Sequence, residues 1–273
     1  DYPVLGGKRV YSACTNNGLV YANYFRCNTT GHDYDNGFCK LCDSYEPAKK
    51  VSTSHHSELN ATHNGYYAIE NAGQLYWLSA LSNGTMTGNT QDLGANAVLT
   101  DNITVNKNVQ KSDGSLSDDA GSFRVWNPIG YYADESQSSS DPSFYVGTFD
   151  GNCKTISGLY YNRRVADAEF IGLFGAVGEQ GSITNVGVVD SYFNAYAVTG
   201  GICGYLVGGT IRNCYNSATV KGTPVSSGDT DFTIGGVCGG LYQGTISNCY
   251  NNGAVSGTKN VGAVCGAIEE PSP

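Results

Sequence analysis

Along the second half of the chain apolar residues alternate with polar ones in short runs broken by Gly or Asn, as in Thr210-Ile211-Arg212-Asn213-Cys214 and Ala218-Thr219-Val220. Alternation in runs this short predicts half-buried strands joined by tight turns. The runs also repeat. Gly200 to Asn216 aligns without a gap on Gly235 to Asn251, so Cys203 matches Cys238 and Cys214 matches Cys249, both at an offset of 35 (238 − 203, 249 − 214). A further copy opens at Gly262-Ala263-Val264-Cys265-Gly266, 27 residues on (265 − 238), and the stretch Thr223 to Thr233 accounts for the difference by looping out. A looser, earlier copy runs Ile171-Gly172-Leu173-Phe174-Gly175, then Gly181-Ser182-Ile183-Thr184-Asn185-Val186, with Phe174 in the place of Cys203 and Val186 in that of Cys214.

One such unit cannot bury its own apolar face, whereas stacked units share a continuous interior, so the expected fold is all-β: a parallel β-solenoid. Gly at the corners and Asn in the turns suit such a path, because both tolerate positive φ and Asn can form ladders. Stacking sets Cys203, Cys238 and Cys265 in one column and Cys214 and Cys249 in another, about 4.8 Å apart. Side chains stacked in register point in parallel, with their Cβ atoms farther apart than the ~3.8 Å of a relaxed bridge, so free buried thiols are expected. Tyr215 and Tyr250 occupy matching positions and should stack as well, either as a ladder stabilising the coils or as an aromatic binding surface.

Ahead of the strands the pattern changes once. Asn71 with Gln74, the stripe Leu75, Leu78 and Leu81, and the closing Asn83-Gly84 predict a helix covering the first coil, where an open solenoid end would expose unpaired backbone groups. Strands are expected to follow at Ala97-Val98-Leu99 and Ile103-Thr104-Val105. At the other end Ala267-Ile268 runs into Glu269-Glu270-Pro271-Ser272-Pro273 without a comparable cap, so either more chain or another molecule is expected to cover that edge. The expected division is a Cys-rich module at 1–50, a linker at 51–65, the helix and solenoid at 66–268 and a tail at 269–273.

Composition narrows the function. The 273 residues carry 15 Lys and Arg against 24 Asp and Glu, a formal charge of −9, which disfavours nucleic acid and anionic lipid as partners. No run of ~18 apolar residues suggests membrane insertion. Asp1-Tyr2-Pro3 lacks a signal-peptide pattern, so a secreted form is expected to have lost its signal. Four of the ten Cys lie in the first 50 residues. In the pattern Cys27, His32, Cys39, Cys42, the turn Asn36-Gly37 aims the last two thiols at one point, which suits zinc; disulfides such as Cys14 with Cys27 and Cys39 with Cys42 satisfy the same count.

Gly172-Leu173-Phe174-Gly175, Gly201-Ile202-Cys203-Gly204 and Gly236-Val237-Cys238-Gly239 resemble the GLUG-type repeats of bacterial surface proteins, and Trp126 to Gly130 with Gly147 to Leu159 resembles the region leading into them, although Cys153 replaces a usual Gly. The resemblance, over roughly residues 66 to 268, implies a right-handed parallel β-helix in adhesins, large surface proteins or appendages of secreted proteases. His32 to Pro47 is similar to a short zinc-ribbon-like module found ahead of GLUG regions, with Asp43 where Gly is usual and no second Cys-x-x-Cys.

Catalytic patterns are sparse. The four His, at 32, 55, 56 and 63, precede the repeats and form no His-Glu-x-x-His motif; Ser52 to Asn64 reads as a solvated loop, with His55, His56 and His63 at most an accidental metal patch. A polysaccharide lyase or hydrolase would need carboxylates with Arg along one face, for which Asp150, Asp167, Glu169, Asp190, Arg163 and Arg164 are the candidates, but Asp150 sits in a turn sequence and the Arg pair in a loop. Sequons at Asn28, Asn60, Asn83 and Asn102 matter only in a host that glycosylates. The expected function is therefore non-catalytic, extracellular or at the cell surface, in adhesion or extracellular structure. The expected partner is a protein, a carbohydrate or copies of the chain itself. An adhesin would present a ligand surface, for instance on the insertions Asp134 to Pro142 and Thr223 to Thr233. A filament subunit would join end to end.

Overall fold

The structure is a computed structural model and describes residues 4–5, 8–9, 31–86, 89–130, 144–163, 170–196, 198–223 and 233–269. From Tyr67 onward the chain winds as a parallel β-solenoid. Three faces are four-stranded parallel sheets: Tyr160–Asn162, Tyr192–Ala195, Thr219–Gly222 and Val255–Ser256; Phe170–Ile171, Val198–Gly200, Ile234–Gly235 and Val261–Gly262; and Phe174–Val177, Cys203–Val207, Cys238–Tyr242 and Cys265–Glu269. A ten-stranded sheet starts earlier, at Lys49–Lys50 antiparallel to Tyr67–Ile69. It continues in parallel through Ala97–Leu99, Thr148–Ser157 and Ser182–Val189 to Thr210–Arg212 and Thr245–Ser247.

Register keeps like over like. Ala97, Phe149, Ile183, Ile211 and Ile246 form one inward column, and Tyr161, Phe193, Val220 and Val255 another. Phe174, Cys203, Cys238 and Cys265 form a third, so the looser copy read at Phe174 stacks directly on the repeats. The interior changes character along this axis. Trp126, Tyr145, Phe149 and Phe174 fill the early coils, and Cys203 and Cys238 are the buried groups where the column continues. A fully buried hydrophobic side chain contributes roughly 1.5–3 kcal/mol, so these columns outweigh any exposed ion pair.

The corner between the last two faces needs glycine for space. A methyl on Gly200, Gly235 or Gly262 would run into the carbonyl oxygen of Cys203, Cys238 or Cys265, at the same point of three successive coils. The chain doubles back tightly enough there for that carbonyl to pass over the glycine Cα.

The helix forms at Ala72–Ser82. Asn71 caps it, its side chain accepting from Gln74 N–H at 3.0 Å, and Gly84, at φ 67°, lies just past the Asn83 C-cap. Leu75, Leu78 and Leu81 are buried, but so are Gln74, Ser79 and Ser82, so the apolar stripe is only part of the buried surface. The polar groups bond loops passing over the helix: Ser79 Oγ donates to Asn127 O at 2.7 Å, and Tyr76 OH to Val125 O at 3.0 Å. The outer side is covered by the Cys-rich segment. Phe38 and Tyr45 pack on Tyr76, which meets Trp126 edge-on at 5.0 Å. Arg124 lies over the Phe38 ring at 3.7 Å and holds both carboxylate oxygens of Asp43, at 2.8 and 2.9 Å. Ser52 to Asn64 differs from the expected loop. It holds a 3-10 turn at Ser57–Leu59 and a short helix at Asn60–His63.

Gly73 lies so close to the Gly37 carbonyl that a methyl there would overlap it. Helix propensity alone makes Gly73→Ala stabilising by about 1 kcal/mol. The clash reverses the sign: we expect Gly73→Ala to lose about 1–3 kcal/mol in urea unfolding.

Candidate functional site

Three groups of side chains have the composition to act on something outside the chain. The first is the His32, Cys39 and Cys42 cluster. The hairpin pairing Tyr34 with Cys39 and Asp35 with Phe38 turns through Asn36 and Gly37, both at positive φ, and Asp43, at φ 60°, curls the chain back so that Cys39 N–H donates to Ser44 O. One ligand atom each from His32, Cys39 and Cys42 then lies within 4.8 Å of the others. Cys42 Sγ is 3.5 Å from His32 Nδ1, and Ser44 Oγ contacts both. Two thiols and an imidazole suit zinc or another thiophilic ion. No disulfide joins Cys39 to Cys42 in this structure, where the two stand as thiols of one cluster with His32. Cys14 and Cys27 lie outside the described residues.

The second group is the repeat surface. Tyr215 stacks on Tyr250 with ring centroids 5.1 Å apart and planes 4° from parallel, and Tyr250 is 55% exposed. The Tyr215 ring occupies the space where a Gly187 side chain would stand. Beside it opens a groove of about 340 Å³ lined by Cys153, Lys154, Asn185, Val186, Gly187, Asn213 and Tyr215. Asn185 and Asn213 of its lining belong to an amide row, a ladder of the kind expected of the Asn turns, whose members the sequence reading did not single out. Asn248 Nδ2 donates to Asn213 Oδ1 at 3.3 Å, Asn213 Nδ2 to Asn185 Oδ1 at 3.0 Å, and Asn185 Nδ2 to Asp150 Oδ1 at 2.9 Å. All three Asn stand at positive φ, 53° to 56°. The signal was present: each precedes Val186, Cys214 or Cys249 at the same place in its repeat.

Asp150, considered above as a catalytic carboxylate, closes that row. It also accepts from Asn152 N–H at 2.8 Å and faces His63 Nε2 at 2.9 Å, with Thr62 Oγ1 2.8 Å from His63 Nδ1. Burial alone would raise its pKa; the hydrogen bonds from Asn185, Asn152 and His63 outweigh it and hold the carboxyl below its ordinary value of 3.8. Asp190 accepts from Gln110 N–H at 2.8 Å, a second structural duty. Arg163 is exposed after the strand Tyr160–Asn162, while Arg164, Asp167 and Glu169 lie outside the described residues, as do Asp134 to Pro142 and most of the Thr223 to Thr233 insertion.

The stacked cysteines are poor candidates for chemistry. No disulfide is present among the eight described Cys, and Cys203, Cys238, Cys265, Cys214 and Cys249 each donate to a carbonyl two residues away in sequence, at 3.1 to 3.3 Å. The neighbouring thiol in the column, together with burial, pushes Cys238, Cys265 and Cys214 above the usual thiol range, whereas the hydrogen bond with Cys214 lowers the half-buried Cys249 to about 7. The three raised thiols are poor nucleophiles and pack as small apolar groups.

The third group is histidine-rich. His55 and His56 come together with Glu70, whereas His63 is drawn away to Asp150, so the three His do not form one patch.

Comparison with known proteins bears on these features. Residues 195–221 and 231–256 match the family described as the GLUG motif. Halomucin of Haloquadratum walsbyi is 33% identical over 138 residues, which cover 45% of this chain and 1% of that protein. A solved structure bearing the name of an immunoglobulin A1 protease, from Bacteroides ovatus, aligns over 75% of this chain and 62% of its own, at 22% identity and a TM-score of 0.45. The chain thus spans less than two thirds of either. No helix among the described residues is long and apolar enough to cross a membrane.

The Asp150 environment predicts an acid dependence. Its folded-state pKa is depressed, so its contribution to stability is present above the ordinary carboxylate range and is lost as pH falls through the folded value. Urea midpoints measured from pH 6 down to about 3 should fall less steeply in Asp150→Asn than in the wild type.

Proposed function

We propose that this chain is a non-catalytic β-solenoid segment of an extracellular or cell-surface protein and acts in adhesion, with the Tyr215 and Tyr250 face as its ligand surface. The observation that carries this reading is the juxtaposition, on repeats of the GLUG type, of a flat stacked aromatic pair with a groove lined in part by a row of amides. Aromatic faces cover the apolar side of a sugar ring or a peptide at low entropic cost, and amides supply donors and acceptors for hydroxyls. The non-catalytic part draws on the structural duties of Asp150 and Asp190 and on the burial and raised pKa of Cys214 and Cys238. The similarity to halomucin supports an extracellular setting through that protein's name alone.

A second reading, end-to-end assembly, is favoured by the final described coil. Its strand edges face outward on all four sheets, and Val261 and Ile268 are 44% and 71% exposed. Exposed edges of this kind template pairing with another chain. The His32, Cys39 and Cys42 cluster we assign to a zinc ion that would fasten the Cys-rich segment against the helix; Cys27, the fourth ligand suggested by the sequence, lies outside the described residues.

Tyr250→Ala, at an exposed position, should leave the fold intact and reduce binding on a glycan or matrix-protein array by about tenfold or more. Binding unchanged in both Tyr250→Ala and Tyr215→Ala would remove the ligand-face assignment. Regular filaments in electron micrographs of the wild-type chain, lost in Ile268→Lys, would favour the assembly reading. Chelation should lower thermal stability in the wild type and have no such effect through this cluster in His32→Ala with Cys42→Ser.

A further inference from the structure

The His55, His56 and Glu70 cluster plays no part in the function proposed above, and its geometry is unlike that of an ordinary surface ion pair. Glu70 directly follows the strand Tyr67–Ile69, the first parallel strand of the solenoid. His56 stands at φ 51°, in the left-handed region, and this bend turns its ring back onto Glu70. His56 Nε2 lies 2.9 Å from Glu70 Oε1, while its Nδ1 lies 2.9 Å from Glu58 Oε1. The His55 ring meets the His56 ring edge-on with centroids 4.6 Å apart. One ligand atom from each of His55, His56 and Glu70 falls within 4.8 Å of the other two.

Two details separate this cluster from a chance grouping. His55 Nε2 is buried without a hydrogen-bond partner among the described residues, a costly state for an imidazole nitrogen that ligation would relieve. The groups behind the ligands are also oriented. Glu58 can hold the Nδ1–H of His56, which leaves the Nε2 lone pair directed at the cluster, the carboxylate–histidine arrangement that supports metal-bound imidazoles. Glu70 is fixed by the fully buried Gln74, whose Nε2 donates to Glu70 Oε2 at 3.2 Å and whose Oε1 accepts from Glu70 N–H at 2.8 Å.

We propose that His55, His56 and Glu70 bind a divalent transition-metal ion, with Glu58 and Gln74 orienting the ligands. Two imidazoles and one carboxylate suit zinc, cobalt, nickel or copper rather than calcium or magnesium, which take oxygen ligands. With three protein ligands the ion keeps at least one position for water or an outside donor. Its structural effect is a clip: it ties the bend at His55 and His56 to the start of the first coil, which the backbone otherwise joins through Val51 N–H to Tyr66 O and Gly65 N–H to Val51 O.

Cobalt(II) titration of the whole chain tests this and separates it from the thiol cluster, because a nitrogen and oxygen site gives visible d–d absorption without a sulfur-to-cobalt charge-transfer band. In the His32→Ala, Cys42→Ser background we expect one equivalent of cobalt bound without that band, displaced by zinc. Glu70→Ala or His55→Ala in this background should abolish it, and the exposed Glu58→Gln, which leaves the three ligands in place, should weaken it by about 10–100-fold. Far-UV circular dichroism reports whether each variant is folded. Absence of cobalt and zinc binding in the His32→Ala, Cys42→Ser background, or binding unchanged by both Glu70→Ala and His55→Ala, would overturn the proposal.

Discussion

Parallel stacking in strict register is the constraint on which the rest of the molecule depends. From the coil that starts at Thr148 onward, each coil is hydrogen-bonded to the next through all four sheets, so its residues inherit the neighbours of their counterparts in the preceding repeat. The coil can close only where the chain turns sharply between the second and third faces, and there the carbonyls of Cys203, Cys238 and Cys265 sit against glycines with no room for a methyl. A side chain at one of these corners would spoil not one contact but the pitch shared by three sheets. The same register explains why small thiols suffice in the later interior: the column begins with Phe174 and continues with Cys because the coils themselves, rather than bulky side chains, set the spacing.

That constraint also accounts for what the sequence made legible. Repetition at fixed offsets announces stacking, and with it the columns at Cys203, Cys238 and Cys265 and the pairing of Tyr215 with Tyr250, since none of these needs knowledge of how distant segments meet. The helix was visible through its cap and its Leu stripe. Its burial on every side was not, because the residues that cover its outer face, Phe38 and Tyr45, and the loop carbonyls that engage Ser79 and Tyr76 come from elsewhere in the chain. The same holds for His63, which finds Asp150 across 87 residues, and for Glu70, which reaches His56 only because the latter adopts a left-handed bend. Periodicity reveals contacts within a repeat; contacts between non-repeating segments leave no such trace.

The non-repeating segments are gathered at one end. The helix, the Cys39 and Cys42 segment, the Asp43 and Arg124 pair and the histidine-rich bend all lie about the first coil, so the described histidines and both candidate metal clusters are gathered where the solenoid starts. The repeats beyond it are nearly free of charge and present aromatic and amide surface instead. The charged and histidine-bearing segments and the aromatic and amide surface are thereby separated along one axis. The closed end resists fraying, while the repeats can vary their outward residues without disturbing the interior columns.

The amide row in the groove lining has a direction. Asn248 donates to Asn213, Asn213 to Asn185, and Asn185 to a carboxylate that can only accept while it is ionised. Reversing any one amide would set two donors or two acceptors face to face with its neighbour, so the row flips as a whole or not at all. Asp150 therefore acts as the anchor of a molecular polarity, and a side chain partly buried at one end dictates which amide atoms are turned outward three coils away.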